Sequence, residues 1–238
     1  MKKFVIDPSF WEEFPEGCLA VLVVKDLSEE ITEGERQEIV QLLAAANSEA
    51  KKYLPSEVIS ENPVVAVWRQ AYQKFPTKKG ARCSLENLLK RVLHGNPVTS
   101  IAPSVDITNA VSLKYAFPIG AEDLDTFAGD LHLGRMQGGE SFLPLGSEKE
   151  EPPLAGEVGY YDEAGAVCRC LNWRDGQRTA VSEKTATEFI VMECVEPERR
   201  EELEKALQEL SELLQKYLKA TVLQQAVLDK ESEEIVLC

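Results

Sequence analysis

The chain of 238 residues carries 26 basic and 41 acidic side chains, which gives a formal net charge of −15. Apolar residues make up 44% of the sequence and charged residues 28%, proportions typical of a globular domain with a buried core. The acidic balance argues against a broad nucleic-acid-binding surface, because neutralisation of phosphate charge dominates such binding. No apolar run resembles a signal peptide or reaches the ~20 residues of a membrane span, so we expect a cytoplasmic location.

Cysteine and histidine usage argues against a metal site. The one close cysteine pair, Cys168-x-Cys170, lacks the spacing of a zinc knuckle, and only His94 and His132 are present to supplement it. We therefore expect no metal and no other cofactor, and we expect reduced, mostly buried thiols. The cysteines are Cys18, Cys83, Cys168, Cys170, Cys194 and Cys238.

The N-terminal part alternates between short apolar runs and amphipathic segments. Residues 4–6 and the apolar run Leu19–Val24 predict two strands, the second buried on both faces. Residues 33–54 and 64–75 carry apolar side chains at helical spacing and predict two amphipathic helices. We expect a further helix to begin at Ser84, a residue type that suits an N-cap.

The central stretch Val105–Asp125 reads VDITNAVSLKYAFPIGAEDLD and combines a polar cluster with a helix-compatible apolar run. A break is expected at 117–120 and an acidic turn at 122–125. Polar side chains suit a helix N-terminus, whose unpaired N–H groups can receive an anion or a carbonyl oxygen. The polar residues of the cluster are Asp106, Thr108 and Asn109.

From Gly129 onward the pattern changes to strands and turns, followed by one long helix. Residues 157–161 and 166–173 flank Asp162-Glu163-Ala164-Gly165, a hairpin signal. The remaining predicted elements are a strand at 189–195, a helix at 197–218, and strands at 221–228 and 235–237. Together the elements predict an α/β (α+β) fold in which mixed β-sheets are flanked by helices.

Three separate motifs carry a resemblance to a known family. They are VDITN with the following xxDLD, Gly138-Gly139-Glu140 with Leu143–Gly146, and TATEFIVME at 185–193. Their order and spacing resemble the B3/B4 (editing) domain of the phenylalanyl-tRNA synthetase β subunit over about residues 75–197. The resemblance implies the fold of that domain. We expect residues 1–238 to form a single B3/B4-like domain, with 1–62 and 198–238 packed on the matching core.

The resemblance also implies a chemical role, because that domain hydrolyses the ester between a wrong amino acid and the 3′ end of tRNA. Thr108 and Asn109 correspond to a polar pair near the ester and the terminal adenosine. Glu193 corresponds to a glutamate that reads the polar end of the misplaced side chain. The alternatives are that Thr108 and Asn109 cap a helix, and that Glu193 faces solvent on a strand.

Two departures from the family pattern predict a substrate other than tyrosine. Gly120 stands where the family has a histidine, and Glu122 stands where it has an aromatic residue. The glycine-rich loop of the family is replaced by Leu171–Gly176. In this segment Trp173 could wall a smaller pocket, and Arg174 with Asn172 could bind a phosphate, carboxylate or carbonyl group. A cation–π contact between Arg174 and Trp173 is the structural alternative.

The remaining candidates are an acidic residue and a basic segment. Asp123 could act as a general base if burial raised its pKa, although a capping role is the alternative. Residues 68–91 contain seven basic side chains against the single acid Glu86. Such a patch suits contact with one end of an RNA, or it serves solubility alone. The residues predicted to contact RNA are Lys78, Lys79, Arg82 and Ser84.

The sequence therefore supports hypotheses from different classes. The first is an aminoacyl-tRNA deacylase that acts in trans on mischarged tRNA. The second is a non-catalytic module that binds tRNA or an amino-acid-like ligand, and the third is a protein-interaction domain with an inactive pocket. No lipase-type GxSxG, P-loop or HExxH motif is present, so the common hydrolase, nucleotide-binding and metalloprotease classes are not indicated.

Overall fold

The computed structural model describes residues 1–28, 30–182 and 184–237. Over these ranges the chain forms six α-helices and ten β-strands, none of the helices long and apolar enough to cross a bilayer. The helices are α1 (Pro8–Glu13), α2 (Glu33–Glu49), α3 (Pro63–Ala71), α4 (Ser84–Leu93), α5 (Pro103–Tyr115) and α6 (Arg200–Leu218). The strands are β1 (Lys3–Ile6), β2 (Cys18–Lys25), β3 (Ile119–Asp123), β4 (Leu131–Arg135), β5 (Val158–Asp162), β6 (Gly165–Arg169), β7 (Arg174–Asp175), β8 (Thr187–Cys194), β9 (Thr221–Leu228) and β10 (Glu234–Val236).

These strands form two sheets. The larger has the order β10-β1-β4-β5-β6-β7, and the smaller has the order β3-β8-β2-β9. The pairing of β1 with β4 is parallel, whereas the other pairings in both sheets are antiparallel. The predicted class, mixed β-sheets with flanking helices, is confirmed.

Strand β2 separates two hydrophobic layers, because its successive side chains point to opposite faces. Val21 lies in the core between the two sheets, together with Phe4 of β1. Leu22 lies in a second core beneath the helices, together with Ile107 of α5 and Leu210 of α6. The prediction that this strand is buried on both faces is therefore confirmed.

The segment predicted as a break followed by an acidic turn is instead mostly strand β3. This prediction was wrong, since Glu122 and Asp123 lie on the strand and the turn follows at 124–126. Glycine and acidic residues disfavour strands, but tertiary context overrides such propensities. Here β3 pairs with β8 from Ile119 to Asp123, and this pairing fixes the side to which each of its side chains points.

Several helix boundaries also differ from those predicted. Helix α2 ends at Glu49 and continues as a 3₁₀ turn over 50–53. Ser84 is the first residue of α4 and not its cap, because Cys83 occupies the N-cap and the Ser84 hydroxyl bonds to no backbone N–H in the described chain. Helix α5 begins at Pro103, before the VDITN motif. Helix α1 was not expected from the sequence.

A buried ion pair joins Glu157, the residue before β5, to Arg169 at the end of β6. Arg169 is 1% exposed and Glu157 is fully buried. The guanidinium donates to both carboxylate oxygens, through Nε over 2.8 Å and through Nη2 over 2.6 Å. Its Nη1 also donates to the carbonyl oxygen of Glu151 over 2.7 Å. These contacts satisfy a charge pair that would otherwise be costly to bury.

We predict that Arg169→Leu lowers the free energy of unfolding by about 3–5 kcal/mol, because it leaves the Glu157 carboxylate buried without its partner. The matched control is Lys3→Ala, which removes the exposed ion pair with Glu234 and is expected to cost much less, because solvent screens such pairs. Urea unfolding monitored by circular dichroism measures both values. Equal losses in the two variants would contradict the prediction.

Candidate functional site

A small cavity of about 60 Å³ lies between the two sheets, beside the turn that joins β6 to β7. Its lining brings together Gly120, Asn172, Trp173 and Glu193, four of the five residues that the sequence predicted to bind substrate. Ser84, predicted to contact RNA, belongs to the same lining. Larger surface clefts of about 580 and 740 Å³ contain none of the predicted site residues. Further polar or sulfur-containing residues of the lining are Glu122, Tyr160, Cys168 and Asp175.

The pairing of β3 with β8 builds one wall of the cavity. Gly120 lies opposite Val191, and Glu122 lies opposite Phe189. Directly paired residues on adjacent strands face the same side of a sheet, and every second residue of a strand returns to that side. Glu193, two positions after Val191, therefore also faces the cavity. The carboxyl groups of Glu122 and Glu193 thus belong to one face.

The larger sheet supplies the opposite wall through a row of three paired residues. Tyr160 of β5 pairs with Cys168 of β6, and Cys168 pairs with Asp175 of β7. Because the three lie side by side across the sheet, they all face the same layer. A third carboxyl group, that of Asp175, is thereby placed at the cavity.

Glu193 sits in a chain of hydrogen bonds. The Tyr160 hydroxyl donates to its Oε1 over 2.8 Å, and the Asn172 Nδ2 group donates to its Oε2 over 3.2 Å. The Tyr72 hydroxyl donates in turn to Oδ1 of Asn172 over 3.1 Å. Burial raises the pKa of Glu193 to about 7, although the two hydrogen bonds act to lower it. The carboxyl group therefore changes its charge near neutral pH.

Glu122 is buried, and one of its carboxyl oxygens lacks a hydrogen-bond partner among the described residues. It is 5% exposed, and its Oε2 accepts no hydrogen bond from the residues that the structure describes. Burial raises the pKa of Glu122 well above its usual range, and the nearby Asp175 raises it further. The Thr179 hydroxyl lies close enough to oppose this effect without completing a hydrogen bond. The Glu122 carboxyl group therefore ionises less readily than an exposed one. Burial also raises the pKa of Asp175.

A strained turn presents Asn172 and its neighbour to the cavity. Cys170 and Leu171 have φ angles of 47° and 60°, a left-handed conformation that is unfavourable for residues with a Cβ. The turn is held because Oε1 of Glu157 accepts from the Cys170 N–H over 3.2 Å, and the Leu171 N–H donates to the Val158 carbonyl over 2.9 Å. The buried ion pair thus also braces the site.

A second cleft, of about 200 Å³, adjoins the cavity at the Tyr72 side. Its charged groups are largely paired with one another. Arg69 binds Glu86 through two hydrogen bonds of 3.0 and 2.6 Å, and Nε of Arg82 lies 3.8 Å from the same carboxylate. The lining residues are Trp68, Arg69, Tyr72, Gln73, Thr77, Ala81, Arg82, Cys83 and Glu86.

Comparison with known families identifies the fold that carries this cavity. The family model described as the B3/4 domain matches residues 67–227, which is more than half of the chain. The chain belongs to the B3/4 domain family. The matched range covers β3, β8 and the turn after β6, so all the predicted substrate-binding residues lie within it.

Two individual proteins are similar to this B3/4 chain. The phenylalanine–tRNA ligase beta subunit of Methylococcus capsulatus is 29% identical over 114 residues, which span 48% of this chain and 14% of that subunit. A crystal structure of an N-terminal fragment of the phenylalanyl-tRNA synthetase beta-subunit from Pyrococcus horikoshii aligns with 92% of this chain and 49% of that one, at a TM-score of 0.48 and 13% identity. The B3/4 chain thus corresponds to a small part of the ligase subunit.

The three predicted catalytic residues lie outside the cavity lining. Thr108 and Asn109 are half-buried on α5, and the Thr108 hydroxyl donates to the Ser104 carbonyl of the same helix over 2.9 Å. Asp123 accepts from the Thr185 hydroxyl over 2.8 Å and from the Asp125 N–H over 3.1 Å. The structure brings none of these three side chains to Glu193, and their catalytic role stays a prediction.

The residues predicted to contact RNA are distributed around the second cleft. Lys78 forms an ion pair with Glu151, and Lys79 is exposed in the loop before α4. Arg82 is exposed and lines the cleft, whereas Ser84 lines the cavity. Because ion pairs engage Lys78 and other basic groups of the segment, the patch is less positive than the sequence suggests. Their contact with RNA stays a prediction.

Arg174 is the one predicted substrate-binding residue that does not line the cavity. It is exposed, and its guanidinium carbon lies 5.3 Å from the centre of the Trp173 ring. This contact matches the cation–π alternative, at an exposed position. Trp173 itself is half-buried at the rim, in a position to wall the cavity.

Sequence reasoning missed the roles of Glu122, Tyr160 and Asp175. A signal was present for Glu122, since it follows Gly120 at the two-residue spacing of a strand face. Expecting a turn at this position concealed that spacing. For Tyr160 and Asp175 the signal lies only in the pairing across the larger sheet, which the sequence does not specify.

The described residues hold no cluster of three histidine, cysteine or acidic side chains arranged to bind a metal ion. Cysteines 18, 83, 168, 170 and 194 are free and buried. Cys238 lies outside the described residues, so the prediction of a reduced thiol there is not tested.

We predict that Glu193→Gln removes part of the pH dependence of stability. The pKa of Glu193 is about 4.5 unfolded and about 7 folded, so the protonated carboxyl contributes stability below about pH 4.5 that is lost as the pH rises through 7. One pKa unit corresponds to about 1.4 kcal/mol, so the wild type should lose about 3 kcal/mol more than the variant between pH 4.5 and 8.

Denaturant unfolding across this pH range measures the difference between the two profiles. Glu234→Gln, the same chemical change at an exposed position, is the matched control and should keep the wild-type profile. Parallel profiles for wild type and Glu193→Gln would show that Glu193 does not titrate as its burial requires.

Proposed function

We propose that this chain is an aminoacyl-tRNA deacylase that hydrolyses the ester of mischarged tRNA in trans. The observation that carries the proposal is the cavity itself. In a member of the B3/4 family, Gly120, Asn172, Trp173 and Glu193 line one cavity between the sheets. The similar ligase subunit is named for its action on tRNA. This name supports a tRNA-linked substrate for the present chain.

The chemistry requires little of the protein, because an aminoacyl ester is already activated. Water adds to the ester carbonyl carbon, the bond to the ribose oxygen breaks, and the ribose hydroxyl regains a proton while a carboxylate is released. The cavity contributes by holding the amino-acid side chain, so that the ester is fixed at the rim near Trp173. Glu193 would read the polar end of that side chain through its two carboxyl oxygens.

The second cleft offers a place for the end of the RNA. It opens beside the cavity, and its exposed Arg82 together with Lys79 in the preceding loop can meet phosphate groups. The net charge of −15 restricts such contact to a short region, since the rest of the surface repels a polyanion. A single-stranded 3′ end, which carries few phosphates, fits this restriction.

Cellular location follows from the proposed substrate. Charged tRNA is a cytoplasmic species, and the five buried free thiols are compatible with a reducing compartment. We therefore propose a cytoplasmic location.

The alternative is a module that binds tRNA or an amino-acid-like ligand without turnover. It is favoured by Gly120, which leaves the cavity without the imidazole that the family places there and that could position water. In this case Glu193 would still bind the ligand, but no ester would be cleaved.

We predict that the protein deacylates at least one class of mischarged tRNA. Glu193→Gln should slow this reaction by about 10- to 100-fold, because it removes one hydrogen bond to a charged or partly charged group. The measurement is the loss of radiolabelled amino acid from a panel of mischarged tRNAs, with Glu234→Gln as the matched control. If the protein bound tRNA tightly but hydrolysed no ester in the panel, the result would contradict the deacylase proposal and support the binding module.

The catalytic role proposed for α5 is tested separately. Asn109→Ala is expected to reduce kcat by about 10-fold or more, the loss typical of a residue that positions the reacting groups, with little change in KM. Ser48→Ala, on the exposed face of α2, is the control for a polar-to-alanine change in a helix. An unchanged kcat in Asn109→Ala would contradict a catalytic role for α5 and leave the cavity as the candidate site.

A further inference from the structure

The cavity contains an acceptor atom without a donor. Oε2 of Glu122 is enclosed, and within the described chain nothing donates to it. Burying a polar atom without a hydrogen bond is costly, and native structures keep such an atom mainly where a ligand or water completes it. Glu122 lies on the cavity face of β3 and belongs to the cavity lining, so a group that enters the cavity can reach its carboxyl group.

The electrostatic character of the cavity indicates the sign of that partner. Three carboxyl groups, those of Glu122, Asp175 and Glu193, line the space, and its described lining includes no lysine, arginine or histidine. The basic group whose charge acts on Glu122 is Arg178, which lies outside the cavity lining and donates two hydrogen bonds to Asp162, of 2.9 and 2.7 Å. Entry of a cation would compensate carboxylates that otherwise repel one another.

The size of the cavity limits what can enter. Its volume of about 60 Å³ is less than half that of a cavity of about 150 Å³ that holds benzene. An aminomethyl group fits the smaller space, and a phenol ring does not. The apolar lining residues Leu131, Val167 and Phe189 suit the carbon to which the amine is attached.

We propose that the cavity binds a primary ammonium group, which donates a hydrogen bond to Oε2 of Glu122. This inference rests on the proposed function for the identity of the whole substrate. It adds the chemical class of the group that the cavity recognises. The ammonium can be the α-amino group of the esterified amino acid or an amine on a short side chain. Glu122, which replaces an aromatic residue of the family pattern, then determines specificity.

The groups that face Glu122 predict how binding depends on pH. Asp175 of β7, Glu193 of β8 and Asp123 of its own strand are acids near it, Arg178 is the basic group near it, and Tyr160 and Cys168 are the weak acids of the facing sheet. An ammonium ion would favour ionisation of the carboxyl groups, so its binding releases protons. The affinity for methylammonium, which remains charged over this range, should therefore rise between pH 6 and pH 8.

The first experiment tests the cavity alone. Methylammonium is titrated into the full-length protein and followed by amide chemical shifts, with methanol as the uncharged probe of similar size. We expect shifts at Gly120 and its strand neighbours, stronger binding at pH 8 than at pH 6, and an affinity at least about 10-fold weaker in Glu122→Gln, the loss of one charged hydrogen bond. Glu234→Gln is the matched control, and Asp175→Asn is a second test of the acidic lining.

Two results of this titration would overturn the inference. One is binding of methanol as tight as that of methylammonium, which would show that the cavity does not distinguish a charged probe from an uncharged one. The other is an unchanged methylammonium affinity in Glu122→Gln together with Asp175→Asn, provided that both variants keep the wild-type circular dichroism spectrum.

The second experiment distinguishes the two sources of the ammonium group. The esters are alanyl-tRNA, diaminopropionyl-tRNA and the forms of both that are acetylated at the α-amino group. Loss of hydrolysis on α-acetylation supports the α-ammonium, and faster hydrolysis of both diaminopropionyl esters supports a side-chain amine. Equal rates for all four would overturn the inference and leave the deacylase intact. Methylammonium binding without hydrolysis of any ester would support the inference and contradict the proposed deacylase activity.

Discussion

The ion pair of Arg169 and Glu157 holds together the part of the chain on which the cavity depends. Its two carboxylate oxygens accept both from the guanidinium and from the backbone of the left-handed turn at Cys170. That turn reverses the chain between β6 and β7, and in doing so it aims Asn172 at Glu193 and brings Asp175 to the opposite wall. A charge pair in the interior is an unreliable source of stability, but here it fixes a conformation that residues with a Cβ otherwise avoid.

Much of the fold could be predicted from the sequence, because its elements follow strong local patterns. The apolar run of β2, the leucine spacing of α6 and the hairpin around Gly165 specify their own structures. Strand β3 could not be recognised in this way, since its glycine and acidic residues have low strand propensity and become a strand only through pairing with β8. The same long-range pairing decides that Glu122 points inward, and its two-residue spacing from Gly120 becomes informative only once the segment is known to be a strand.

The candidate site was predictable where a single chain segment carries it. The resemblance to the B3/4 domain indicated Glu193 and the segment from Asn172 to Arg174, and the cavity contains all of these except Arg174. The wall formed by Tyr160, Cys168 and Asp175 required knowledge of three strand registers in the larger sheet. Similarity in sequence thus found the residues of one wall, and the physical structure was needed for the other.

The incomplete hydrogen bonding of Glu122 has a consequence for the evolution of this chain. An apolar side chain of similar volume at this position would fill the space, remove the buried acid and make the folded protein more stable. Selection for heat resistance alone would therefore eliminate the carboxyl group, and only selection for the proposed ammonium ligand would preserve it. Among B3/4 proteins, an acid at the position of Glu122 would then mark the lineages in which the cavity is still in use, and its loss would mark those in which the fold survives as a scaffold.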